Sequence, residues 1–264
     1  MSADPIIVAV DAERTAWLTL NRPEIHNAFD DAQIVRLTGA LRDLGDDPDV
    51  RCVAVTANGK SFSAGADLNW MGRMAEYTFA ENVADAEKLA EMLETLNHLP
   101  KPTVAVVQGP AYGGGVGLVA ACDIAVASRD AARFALTEVR LGLIPATISP
   151  YVIAAIGQRQ ARRYFLTGEA FDADEAQRIG LVHVVAPAAA LLDAAREVLK
   201  ALAAGAPGAQ AASKDLVRAV AGRPTDPHMI RDTAERIAAA RASHEARERI
   251  RAFLEARLST DKER

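Results

Sequence analysis

Two glycine-rich stretches and one glutamate supply the residue types in this chain that can do chemistry. The first stretch, residues 109–117, holds Gly113, Gly114 and Gly115 between an apolar strand-like run and an apolar helix-like run. Glycines at a helix start leave backbone N–H groups open to a ligand, and the helix dipole adds partial positive charge there. The stretch therefore predicts a site for a negative oxygen, either a phosphate or a carbonyl oxygen that becomes an oxyanion.

Close packing of a helix on a strand explains the same glycines when they are taken alone. Their spacing fits neither a P-loop, which requires Gly-Lys followed by Ser or Thr, nor the glycine fingerprint of dinucleotide-binding folds. A second feature must therefore decide between a packing role and a ligand site.

The second stretch, residues 60–68, also follows a buried strand pattern, and its part 64–68 is predicted to open a helix. Two such turns at one edge of a sheet can direct their N–H groups at one carbonyl oxygen. Glu138 lies in a mostly apolar setting further along. Loss of hydration raises the pKa of such an acid, which suits proton transfer near neutral pH.

The elements that must position these residues alternate between strand and helix patterns. Strands are predicted at residues 6–10, 15–20, 51–56, 103–108 and 123–127, with a short extended piece at 133–139. Helices are predicted after an Asp30 N-cap, at 79–99, and on both sides of Gly157. The order predicts an α/β fold with a mixed, largely parallel sheet covered by helices.

Helical patterns at 191–204, 208–221 and 226–258, with a break near 242–244, follow the last strand-like run. They keep apolar faces without a sheet of their own to cover. Two interpretations stay open, because these helices can complete the core or can pack on neighbouring subunits.

Bulk properties narrow the function classes. The chain has 264 residues, of which 50% are hydrophobic, and a net charge of −5, so we expect no nucleic-acid binding. No apolar run reaches the ~20 residues of a membrane span, and no leader pattern begins the chain, so we expect a cytoplasmic protein with no membrane partner. Cys52 and Cys122 are predicted to be buried free thiols. The histidines lack ligand spacing, so no metal is expected.

Eight short motifs follow one another along the chain, at residues 21–28, 62–68, 113–115, 121–123, 134–138, 142–145, 171–176 and 180–182. Together, and in this order, they resemble the crotonase, or enoyl-CoA hydratase/isomerase, superfamily. The resemblance spans roughly residues 6–258, and the number of motifs in the right order makes it specific.

The resemblance implies a crotonase-like spiral of ββα units over residues 1–190 and a helical oligomerisation region over 191–264. It implies an acyl-CoA substrate and no separate cofactor, because coenzyme A is part of the substrate. It also implies a homotrimer that can pair into a hexamer. Catalytic roles fall on the amides of Ala66 and Gly114, as the oxyanion hole, and on Glu138, which moves protons at the substrate α and β carbons. Residues expected to bind substrate are Ala64, Asp67, Leu68, Ile25 and Gly117.

One departure from the family pattern leaves the reaction open. Typical hydratases of the family carry a second glutamate where this chain has Gly117. Hydration with Glu138 alone is the leading hypothesis. The alternatives are a 3,2-enoyl-CoA isomerase that uses the single glutamate and a non-catalytic acyl-CoA-binding paralogue.

Residues 67–71 and 137–151 are similar to the bacterial methylglutaconyl-CoA and carboxygeranoyl-CoA hydratase branch. The resemblance implies a branched or dicarboxylic acyl group such as 3-methylglutaconyl. A second carboxylate needs a polar or cationic partner, for which Arg140, Arg73 and Tyr112 are candidates.

Overall fold

A computed structural model describes residues 4–262, with side chains up to residue 257. The ends of the predicted regions 1–190 and 191–264, at residues 1–3 and 263–264, lie outside the described residues. The strands in this part are β1 (Ile6–Val10), β2 (Thr15–Leu20), β3 (Cys52–Ala57), β4 (Thr103–Val107), β5 (Ala111–Tyr112), β6 (Ile124–Ser128), β7 (Arg133–Ala135), β8 (Phe171–Asp172) and β9 (Val184–Ala186).

Helices cover the sheets and form the end of the chain. The α-helices are α1 (Asp31–Asp46), α2 (Leu68–Met74), α3 (Phe79–Asn97), α4 (Gly114–Ala121), α5 (Ser149–Thr167), α6 (Ala173–Ile179), α7 (Leu191–Ala204), α8 (Pro207–Val220), α9 (Pro227–Ala242) and α10 (His244–Lys262). Single 3₁₀ turns occupy Pro23–Ile25, Glu138–Leu141 and Ala188–Ala190. In the described chain, no helix has the length and apolarity needed to cross a membrane.

The larger sheet has the strand order β1-β2-β3-β4-β6-β9. β1 and β2 form an antiparallel hairpin, and every later neighbour pairs in parallel. The predicted mixed, largely parallel α/β sheet is therefore confirmed. A smaller sheet has the order β5-β7-β8. It places β5, which precedes the glycines of α4, beside β7, which precedes Glu138.

The central strands are buried on both faces, as their unbroken apolar runs predict. Val53, Val55 and Val107 point into a core shared with α1 and α3, while Val104 and Val106 point into a second core. α7 closes that second core through Leu191, Ala195 and Leu199. α7 therefore completes the core, which agrees with one of the two interpretations of the helical tail.

The last three helices bury little apolar surface in the described chain. Met229 is the buried residue on α9, and α8 has none. Polar contacts hold these helices instead. The Lys214 ammonium on α8 lies 2.8 Å from the Asp123 carboxylate, and the Glu245 carboxylate accepts bonds from the first amides of α8.

Two local predictions are wrong. The piece predicted as extended over 133–139 is a strand only to Ala135, and Glu138 starts a 3₁₀ turn that ends at Gly142 with φ +74°. The helix predicted to open at 64–68 begins at Leu68, because Asp67 is its N-cap and accepts hydrogen bonds from the amides of Asn69 and Trp70. Residues 64–67 therefore form a non-helical turn before the helix.

Candidate active site

The turn before α2 lies directly against the turn before α4. Ser63 forms an isolated parallel bridge with Ala111, so the two glycine-rich stretches run side by side. A Cβ built on Gly65 would stand 2.8 Å from the carbonyl oxygen of Tyr112 and 3.5 Å from the nitrogen of Gly114. Gly65 also has φ +84°. Only glycine permits this close approach of two backbones without strain.

The amides of Ala66 and Gly114 are unoccupied donors at this junction. Ala66 forms a parallel bridge with Phe29, but the bridge uses the carbonyl of Gly65 and the amide of Asp67. Gly114 is the first residue of α4, where a helix has no internal acceptor for its amide. Neither amide donates a hydrogen bond within the described chain. The turns that carry these two N–H groups therefore lie side by side, and their shared role as an oxyanion hole, which the resemblance implies, stays a prediction.

The carboxyl group of Glu138 lies at the same helix start. The smaller sheet positions it, because the Gly113 amide donates to the carbonyl of Ala135 at the end of β7. Glu138 follows three residues later, and its Oε1 lies 3.0 Å from the ideal Cβ position of Gly113. Gly113 has φ +49°, so a side chain there would be strained, and its Cβ would press closely on the carboxyl group of Glu138.

The surroundings of Glu138 favour its neutral form. Burial raises the pKa of this carboxyl above its usual value, and its own backbone amide offsets part of that effect. Its Oε2 is buried and has no hydrogen-bond partner in the described chain. A buried acceptor without a partner is uncommon in proteins and marks a site where a ligand or a proton can be received.

The predicted substrate-binding residues lie along one rim of this junction. Ala64 is exposed, and its amide donates to the carbonyl of His26, which ties it to the turn that contains Ile25. The carboxylate of Asp67 is used to cap α2. The side chain of Leu68 is 81% exposed. Their predicted role in binding coenzyme A stays a prediction.

Gly117 lies deeper, one turn further along α4. A Cβ at this position would stand 2.2 Å from Cγ2 of Ile148, and Gly117 is buried. The branched side chain of Ile148 therefore takes the space of any side chain at position 117. Gly117 shapes the site through the room it leaves for Ile148, and its predicted contact with substrate stays a prediction.

Two positioning residues escaped the sequence analysis. Buried Asn27 donates to the carbonyls of Asn58 and Ser61, and Ser63 donates through its hydroxyl to the carbonyl of Asn27. Together they hold the turn before α2. Asn27 has φ +53°, a conformation that asparagine tolerates better than most residues. The asparagine itself was therefore the signal in the sequence for a turn at this position.

The candidate partners of a second substrate carboxylate differ in their surroundings. Arg73 forms an ion pair with Asp31 at 2.8 Å. The Nε of Arg140 lies 3.2 Å from the ideal Cβ position of Gly168, and Arg140 has no carboxylate within ion-pair distance among the described side chains. Tyr112 is fixed through its main chain, because its amide donates to the carbonyl of Ser63.

The fold and these contacts define a mixed α/β protein in which two adjoining turns carry unused backbone donors beside a half-buried acid. Residues 12–263 match the family model described as enoyl-CoA hydratase/isomerase, and the chain belongs to that family. The expected crotonase fold is confirmed by a crystal structure of an enoyl-CoA hydratase from Shewanella pealeana, with a TM-score of 0.92 and 41% identity, covering 96% of this chain and 94% of that one.

Curated relatives have names in the same class. A Thermus thermophilus protein provisionally named an enoyl-CoA hydratase is 37% identical over 95% of this chain and 98% of its own length. An Escherichia coli K12 protein named 2,3-dehydroadipyl-CoA hydratase is 36% identical over 78% of this chain and 79% of its own. These names are consistent with the predicted hydro-lyase class.

Proposed function

We propose that this protein adds water across the 2,3 double bond of an acyl-CoA thioester. The observation that carries the proposal is that two adjoining turns, and the glutamate that rests on one of them, hold three groups without a hydrogen-bond partner in the described chain: the amides of Ala66 and Gly114 and the Oε2 of Glu138. A thioester carbonyl oxygen between the two amides would receive two preorganised hydrogen bonds as negative charge develops on it. The hydratase names of the relatives support the same reaction.

In this mechanism Glu138 carries out both proton transfers. Its carboxylate accepts a proton from water while the water oxygen bonds to the β carbon of the substrate. The electron pair of the double bond moves to the thioester oxygen, and the resulting enolate is held by Ala66 and Gly114. Glu138 then returns its proton to the α carbon, so that one water is added and the carboxylate is regenerated.

The acyl group in this proposal is branched or dicarboxylic. The resemblance at residues 137–151 supports it, and so does the relative named for a dehydroadipyl group, which carries a second carboxylate. Arg140 is the favoured cationic partner because it has no competing ion pair, whereas Arg73 is held by Asp31. Arg140→Gln should raise KM for a dicarboxylic ester about tenfold and leave the KM for crotonyl-CoA unchanged. Arg73→Gln serves as the matched control.

An isomerase that moves a double bond from the 3 to the 2 position is the second candidate. Residue 117 is a glycine, and Ile148 fills the space beside it, so α4 offers no second carboxylate there. A single glutamate can shuttle one proton between two carbons without water.

A turnover screen tests the proposal. Purified protein is given crotonyl-CoA, 3-methylglutaconyl-CoA and a 3-enoyl-CoA, and absorbance of the conjugated enoyl thioester is followed. Hydration removes the band from the first two esters, whereas isomerisation creates it from the third. Tight binding of all three without turnover would overturn both and leave an acyl-CoA-binding protein. Glu138→Gln should lower the rate by about 10²–10⁴.

We also infer self-association into a homotrimer, or a hexamer of two trimers, through the helical tail. Large apolar side chains on α8–α10 are exposed in the single chain: Val217, Ile230, Ile237, Ile250, Phe253 and Leu254. Such a face is typical of subunit contacts. Light scattering on the eluting protein should give three or six chain masses, and Ile237→Glu should lower that number.

A further inference from the structure

The first turn of α4 is held between two side chains from one short segment. Glu138 begins the segment and rests on Gly113, and Ile148 ends it and rests on Gly117. Gly113 and Gly117 are one helical turn apart, and the Gly117 amide donates to the Gly113 carbonyl at 3.2 Å. Gly114, whose amide is free, lies between these two contacts.

The contact at Gly117 depends on one methyl group. The ideal Cβ position of Gly117 lies 2.2 Å from Cγ2 of Ile148 and 2.7 Å from its Cβ. Cγ2 therefore rests where α4 has no side chain, and Ile148 is only 3% exposed. Branched side chains have few rotamers, so this methyl has a well-defined position.

We propose that Ile148 is a positioning residue: its Cγ2 methyl, seated on Gly117, sets the spacing between the Gly114 amide and the Glu138 carboxyl group. The inference rests on the proposed function, in which these two groups act on one thioester. The segment 138–148 can shift along α4 only if Cγ2 of Ile148 loses its contact with Gly117. Displacements of about 1 Å between reacting groups can lower rates about 100-fold.

The position of a methyl can be separated from side-chain volume. Ile148→Val keeps Cγ2 and loses only the terminal carbon, so its kcat should stay within about twofold of wild type. Ile148→Leu keeps the volume but has no branch at Cβ, so its kcat should fall about tenfold or more while KM changes less than about threefold. Ile156→Leu is the matched control, because Ile156 is also a buried isoleucine but lies about two turns further along α5 than Ile148.

Each outcome supports or overturns the inference. A wild-type protein without turnover of any enoyl ester refutes the proposed function itself. An active wild type with Ile148→Leu no slower than Ile156→Leu overturns the role of Ile148 and leaves the function intact. If Ile148→Leu does not fold, Ile148→Ala removes the same methyl without adding a branch at Cγ. A wild-type kcat in that variant would overturn the inference, and a selective loss of kcat would support it.

Discussion

The carboxyl group of Glu138 rests on Gly113, with its Oε1 3.0 Å from the position that a Cβ of residue 113 would occupy. The contact puts an acid at the start of α4, where the helix dipole favours its negative form. Burial acts in the opposite direction and raises the pKa of Glu138 above its usual value, although a backbone hydrogen bond offsets part of that effect. An acid whose two forms are closer in energy near neutral pH is suited to exchanging protons with a substrate.

The raised pKa of Glu138 predicts where activity falls on the acid side. Its carboxylate must be ionised to accept a proton from water, so kcat/KM should drop as pH falls through this pKa. The drop should centre above the usual value of about 4.3 for a glutamate. Initial rates across pH, with melting temperatures at each pH as a control for unfolding, provide the measurement. A midpoint at or below the ordinary value would contradict the assignment.

The same burial predicts that Glu138 lowers stability at neutral pH. The folded protein disfavours the charged form, so stability is fully present below the unfolded-state pKa and is lost as pH rises through the raised pKa of Glu138. Glu138→Gln should therefore raise the free energy of unfolding at pH 7, and the gain should vanish at low pH. Urea titrations at both pH values measure it, and an equal gain at both would show another cause.

Gly65 is expected to tolerate no side chain. Gly65→Ala would set a methyl 2.8 Å from the Tyr112 carbonyl oxygen and push the two turns apart. Loss of one oxyanion donor costs about 10²–10³ in rate, and we expect a fall of that size in kcat. Gly222→Ala is the matched control. It has φ +70° and open space around its Cβ position, so it carries the backbone strain without the collision. Similar losses in both variants would argue against a role for the junction.

Lys214 is predicted to anchor α8 to the sheet. Its ammonium lies 2.8 Å from the Asp123 carboxylate, which also accepts bonds from the amide and hydroxyl of Thr103. The lysine side chain is 11% exposed, so Lys214→Met should lower the free energy of unfolding by about 2 kcal/mol. The exposed pair of Arg231 and Glu235 provides the control, because Arg231→Met should change the free energy of unfolding by less than about 1 kcal/mol.

The two cysteines are predicted to be inert in the folded protein. Both are buried, and burial raises the pKa of each thiol above its usual value, that of Cys122 to about 12. At pH 8 the thiolate of Cys122 is roughly 10³-fold scarcer than that of a free cysteine. A thiol reagent should therefore label neither residue natively and both in urea. Fast native labelling would show that one of them reaches solvent.

Much of the fold could be predicted from the sequence because it depends on local patterns. Unbroken apolar runs gave the buried parallel strands, and the Asp30 cap and helical spacing gave α1. The wrong predictions fall at residues 64–68, where the Asp67 cap starts the helix later than expected, and after Ala135, where a 3₁₀ turn replaces the extended chain.

The sequence by itself determined which groups are present: two glycine-rich turns, one acid in an apolar setting, and no carboxylate at position 117. These follow from residue identity and from periodicity that a single segment displays. Only the tertiary structure decided that Gly65 lies beside the turn before Gly114, that Glu138 rests on Gly113, and that Ile148 fills the space above Gly117. These contacts join segments far apart in the chain, and their distances depend on how the whole core packs rather than on any local preference.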